Sequence, residues 1–71
     1  MTHCEMILDY MERIGGITQA EAARVIGCYR LGARIYDLRR RGVDIVKTME
    51  SDVNRFGATV RYARYTLRKA G

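Results

Sequence analysis

At Gly42 the apolar period of this 71-residue chain changes from nearly four to two. No fold built from one kind of secondary structure satisfies both halves. Upstream, Ile7, Tyr10, Met11 and Ile14 recur at helical spacing and predict an amphipathic helix over about residues 4–14, closed by Gly15-Gly16. Thr18-Gln19-Ala20-Glu21 is a capping box: the threonine hydroxyl can accept the Glu21 amide, and the glutamate can reach back to the Thr18 amide. It opens a second helix, about 18–26, whose apolar face is Ala22, Val25 and Ile26, with Ile17 placed to staple onto Ala22. Gly27 breaks that pattern, and after a turn of about three residues a third helix runs over about 30–41 to Gly42, with Leu31, Ile35 and Leu38 as its buried stripe.

Downstream of Gly42, "VDIVKTM" and "ATVRYARYTL" alternate as strands do and predict a hairpin over about 43–67. Ala63, Tyr65 and Leu67 are expected to face the helices, and Val60, Tyr62 and Arg64 to face away. The intervening "ESDVNRFG" carries turn residues, with Asn54 and Gly57 suited to positive φ. Helix, short glycine-containing turn, helix, then hairpin reads as a single α+β domain over 1–71: a winged helix-turn-helix with three helices followed by a two-stranded β-hairpin wing.

Charge is divided as sharply as periodicity. Residues 1–28 hold two basic side chains against four acidic ones, whereas residues 29–71 hold eleven against four. Such asymmetry in a small domain points to a polyanionic partner at one end. A chain this short buries only about 60% of its unfolded surface, so a large substrate pocket is not expected. The two cysteines make no disulfide framework and predict free thiols in a cytosolic compartment, with Cys28 a small buried apolar residue. His3 and Cys4 alone do not supply four ligands, so neither a metal nor a cofactor is expected. "GCYRLG", residues 27–32, has the glycine spacing of a phosphate loop, but Ala33-Arg34 stand where lysine and serine or threonine are needed. No acid-base pair adjoins a nucleophile, and no enzyme is expected. The N-terminus lacks the layout of a signal peptide, and no stretch approaches the roughly 20 apolar residues of a membrane span.

Projected at 100° per residue, the third helix puts Leu31, Ile35 and Leu38 on one side and Tyr29, Ala33, Tyr36 and Arg40 on the other. Arg30 and Asp37 flank the outward face on one edge, Arg39 and Gly32 on the other, while Arg34 and Arg41 border the buried stripe. This mixture suits a recognition helix. Arginine can donate two hydrogen bonds to guanine O6 and N7, and small residues let the backbone approach the duplex. Arg39, Arg41, Lys47 and Arg55 are placed to contact phosphates, which position a protein without reading sequence. The same residues also fit a solvated helix with Asp37 paired to Arg34 or Arg41, and Arg34 equally suits an internal ion pair with Glu21. The tip "DVNRFG" offers Arg55 and Phe56 beside Asp52; Arg61, Arg64, Arg68 and Lys69 extend the basic surface.

"IGCYRLGARIYDLRRRG", residues 26–42, resembles a family of small winged helix-turn-helix proteins common in phage and prophage genomes. The resemblance extends from "ILDYMERIGGIT" through "IVKTM" to "NRFGATVRYARYTL" and is most specific at Arg30, Leu31, Ala33, Arg34, Ile35, Leu38, Arg39 and Gly42. Relatives often carry isoleucine where Cys28 stands, threonine or serine at Tyr29, and serine or alanine at Gly32; Tyr29 cannot cap the third helix as threonine would. The resemblance implies DNA binding. The expected role is that of a double-stranded DNA binder in a bacterial cytoplasm, a transcriptional regulator or an accessory factor for excision and recombination; because one such module reads few base pairs, a homodimer or cooperative array on the DNA is expected. The alternative is a small phage protein that turns the same surface on a host protein. A membrane-surface role is disfavoured, because the narrow apolar stripe of the third helix lacks tryptophan and is needed for the core.

Overall fold

The computed structural model describes residues 1–68, as α1 (His3–Ile14), β1 (Ile17–Thr18), α2 (Gln19–Glu21) running into a π-helical turn (Ala22–Ile26), α3 (Leu31–Arg40), β2 (Ile45–Val53) and β3 (Thr59–Leu67). The expected three helices and hairpin are present. The sheet, however, has three strands in the order β1-β3-β2, all antiparallel, not two. Ile17 pairs with Tyr65 and Thr18 with Arg64, so the residues that lead into α2 also satisfy the free edge of β3. A two-residue strand has no period to detect.

α1 begins one residue before its apolar stripe, where Thr2 and Glu5 form a second capping box. Cys4, Ile7 and Met11 are its buried residues. Ile14, expected in the core, is 65% exposed, because the groove between the end of α1, Val43–Asp44 and Leu67 leaves that side open. The chain leaves the helix through Gly15 at φ 106°, a conformation open to glycine at little cost.

The second helix follows its capping box as expected: Thr18 accepts the Glu21 amide, and Glu21 accepts the Thr18 amide. It then widens. The Gly27 amide reaches back to the Ala22 carbonyl, a five-residue span. In the wider turn residues four apart share a face and those three apart do not. Ala22 is therefore fully buried and Ile26 packs on the core, while Val25, expected beside them, is 55% exposed.

α3 buries Leu31, Ile35 and Leu38 as its stripe requires; Arg30 and Arg41 flank it rather than belong to it. Arg30 offers no side-chain cap. The missing cap comes from twelve residues upstream. Gln19 Oε1 accepts the Leu31 amide at 2.9 Å, and Gln19 Nε2 donates to the Cys28 carbonyl at 2.9 Å. One carboxamide thus ties both ends of the turn between the helices and satisfies the first amide of α3. Gln19→Ala would strand a donor and an acceptor at two buried residues. We expect a loss of about 1–3 kcal/mol in urea denaturation, with Gln19→Glu, which keeps only the acceptor, falling between.

The core gathers Cys4, Ile7, Met11, Ile17, Ala22, Cys28, Leu31, Ile35, Leu38 and Ile45, with Tyr10, Val43, Tyr65 and Leu67 packed around it. Both thiols are buried and free. On β3, Tyr65 and Leu67 pack on the core as expected, with Ala63 on the same face, whereas Arg64, expected to face away from the helices, reaches Glu21 of α2. The strands run nine residues each, further into "ESDV" than alternation indicated, and reach roughly 30 Å. Only residues 54–58 turn. Asn54 acts there not through positive φ, which only glycines adopt, but through its side chain: its Oδ1 accepts the amides of Phe56 and Ala58.

Candidate nucleic-acid interface

Ion pairing sorts the basic residues into two sets. Arg64, on the central strand, binds Glu21 at 3.2 Å and Glu50 at 3.0 Å, joining α2 to the hairpin. Burial works to raise the Glu21 carboxyl, but hydrogen bonds from the Tyr10 hydroxyl and from Thr18, with the Arg64 charge, outweigh it and hold Glu21 below the usual carboxylate range. The same contact pushes the Tyr10 phenol up, since its ionisation would set a second anion against Glu21. Arg64 is committed to structure. Arg68 pairs with Asp44 at 3.5 Å and Arg13 with Asp9 at 3.0 Å. Lys69 lies outside the described residues.

Arg34 is also paired, though not with Glu21, which is occupied by Arg64. Its partner is Asp37, one turn along α3 at 3.2 Å. The border position decides this: the side chain runs along the helix edge, half exposed, and meets the nearest carboxylate on its own surface. Its Nε is buried and no described residue accepts its proton. Arg34 lines a hollow with His3, Gly27, Cys28, Tyr29 and Arg30 at the start of α3. The Tyr29 ring is 79% exposed there.

The remaining cations have no carboxylate within 4.0 Å among the described residues: Arg24, Arg30, Arg39, Arg40, Arg41, Lys47, Arg55 and Arg61. Arg30 and Arg40 are exposed at opposite ends of α3. The Arg40 guanidinium lies over the Tyr36 ring, 5.8 Å from its centre, which holds a long flexible side chain against the outward face. Ala33 is half-buried, and Gly32, open to solvent, leaves the backbone bare. Arg39 is exposed but spends one N–H on the Ile45 carbonyl at 2.9 Å, tying the end of α3 to the base of the hairpin.

Strand register divides the hairpin by charge. Ile45, Lys47, Met49, Ser51 and Val53 share one face with Leu67, Tyr65, Ala63, Arg61 and Thr59. That face packs on the core at its base and carries Lys47 and Arg61 beyond it. Glu50, Asp52 and the neutralised Arg64 lie on the other face. The repulsion expected from Asp52 is thereby turned away from the basic side, and its Oδ1 accepts the Val53 amide. Arg55 and Phe56 occupy the tip, both exposed.

One contributor escaped the sequence reading. Gln19, which ties the turn before α3, gave no signal, since a surface-type amide in a capping box looks like filler. No curated protein and no solved structure matches the chain. Among protein families, the winged helix-turn-helix domain matches residues 2–70. A match over nearly the whole chain, on three helices and a basic hairpin, makes this protein a member of the winged helix-turn-helix domain family.

Proposed function

We propose that this protein is a non-enzymatic, cytoplasmic, sequence-specific binder of double-stranded DNA of the phage or prophage type. It acts as a transcriptional regulator or as an accessory factor in excision and recombination. α3 enters the major groove. Arg30 and Arg40, with Tyr36 and the small surface of Gly32 and Ala33, face base edges. Arg39, Arg41, Lys47 and Arg55 hold phosphates, and the hollow lined by Tyr29, Arg30 and Arg34 offers the exposed Tyr29 hydroxyl and Arg30 guanidinium to one more.

The observation that carries this reading is the sorting of charge. Ion pairs engage Asp37 on α3 and Glu50 on the far face of the hairpin, and leave exposed cationic groups on α3 and on the opposite face of the wing. A merely solvated basic surface would not need that separation. If about six phosphates are neutralised, log K against log salt concentration should fall with a slope of roughly −5. Titration of a fluorescein-labelled duplex between 50 and 300 mM salt measures this, and a slope near zero or no binding at micromolar protein refutes it.

A further inference from the structure

Phe56 is the most exposed large apolar side chain in the described protein, at 85%. Turn tips ordinarily carry polar residues, and no part of the fold packs this ring. It is nevertheless not loosely held. The Phe56 amide and the Ala58 amide both donate to Asn54 Oδ1, the Gly57 amide donates to the Asn54 carbonyl, and the Asn54 amide donates to the Ala58 carbonyl. Gly57, at φ 79°, closes the turn. Four hydrogen bonds over five residues fix the backbone that bears one bare ring, about 30 Å along a two-stranded arm. Its neighbour at the tip is Arg55, and the nearest carboxylate along the chain, Asp52, accepts the Val53 amide.

Resting on the DNA-binding reading above, we propose that Phe56 is a wedge: its ring stacks against a base step in the groove the wing occupies, while Arg55 holds the adjacent phosphate. Every base presents a π-face, so a ring delivered by a rigid, cationic arm gains stacking contact without reading sequence. Apolar side chains inserted from the minor groove part a base step in this way. Because the turn is ordered before contact, little conformational freedom remains to be lost on insertion. The role differs from that of Arg30 and Arg40, which address base edges from α3.

The chain has no tryptophan, so Phe56→Trp places a single reporter at the tip. A random-sequence 30-base-pair duplex serves as probe, with binding followed independently by the anisotropy of a fluorescein label. At saturating duplex the Trp emission should be quenched severalfold and shielded from acrylamide. Phe56→Ala should weaken duplex binding roughly ten- to a hundredfold, with the salt slope unchanged. Binding by anisotropy with a Trp still fully open to acrylamide, or an alanine variant of unchanged affinity, overturns the wedge and leaves DNA binding standing. No anisotropy change for the wild type overturns both. Shielding that appears only with phosphatidylserine vesicles, and not with duplex, makes the tip a membrane contact and likewise overturns the proposal.

Discussion

Arg30→Ala with Arg40→Ala is expected to reduce duplex affinity by about two orders of magnitude or more, without measurable loss of fold. Each guanidinium that donates two bonds to a guanine edge contributes roughly 1–3 kcal/mol of discrimination, and the two sites lie at opposite ends of α3, far enough apart to add. Neither side chain has a carboxylate partner among the described residues, and both are exposed, so truncation strands nothing inside the protein. Arg64→Ala is the informative contrast. It opens the ties to Glu21 and Glu50 and should lower stability more than affinity for the remaining folded protein. Anisotropy with the labelled duplex, beside far-ultraviolet circular dichroism of each variant, separates the two. If the double variant binds within twofold of wild type, α3 is not the reading element.

Ile35→Ala should be the most destabilising substitution on α3. The side chain is 1% exposed, at the centre of the helix stripe between Leu31 and Leu38. Removing a buried isoleucine costs about 2–5 kcal/mol through lost transfer energy and the cavity left behind. A domain of this length is held by only about 4–10 kcal/mol in total. The variant is therefore expected near its unfolding threshold, with Tm lowered by roughly 10–30 °C. Tyr36, the next residue, is 61% exposed, and Tyr36→Ala should change stability by no more than about 0.5 kcal/mol. Adjacent positions would then divide cleanly, one needed for folding and its neighbour for contact. A Tyr36 variant as unstable as the Ile35 variant would mean that the helix is rotated from the orientation described.

Much of this division was legible beforehand. The stripe of α3 followed from spacing alone, as did the capping box of Thr18 and Glu21, the glycine ends at Gly15, Gly27 and Gly42, and the inward face of β3 at Tyr65 and Leu67. The outward placement of Arg30, Tyr36 and Arg40 came with the stripe, because a helix that hides one face presents the opposite one. Where the reading departed from the fold, the departures share a cause. Val25 left the core because the second helix widened into a π-helical turn, which puts Ala22 and Ile26 on one face in its place and which residue spacing does not announce. Ile14 fulfilled its helical spacing and still lay open, because nothing covers that end of α1.

What the linear chain determined is what depends on neighbours a few positions apart: where helices start and stop, which faces are apolar, where alternation begins, and that the second half is cationic. The Arg34–Asp37 pair is local to α3 and was among those the spacing offered; tertiary structure decided the long-range pairings. Gln19 reaches Leu31, Arg39 reaches Ile45, and Arg64 reaches Glu21 and Glu50, across separations of 12, 6, 43 and 14 residues. Such contacts depend on the angles between elements, and a hydrogen bond that fails beyond about 3.5 Å is far more sensitive to those angles than an apolar face is to its period. Composition set the net positive charge; only the fold could spend Arg64 on Glu21 and Glu50 and leave Arg30 and Arg40 facing out.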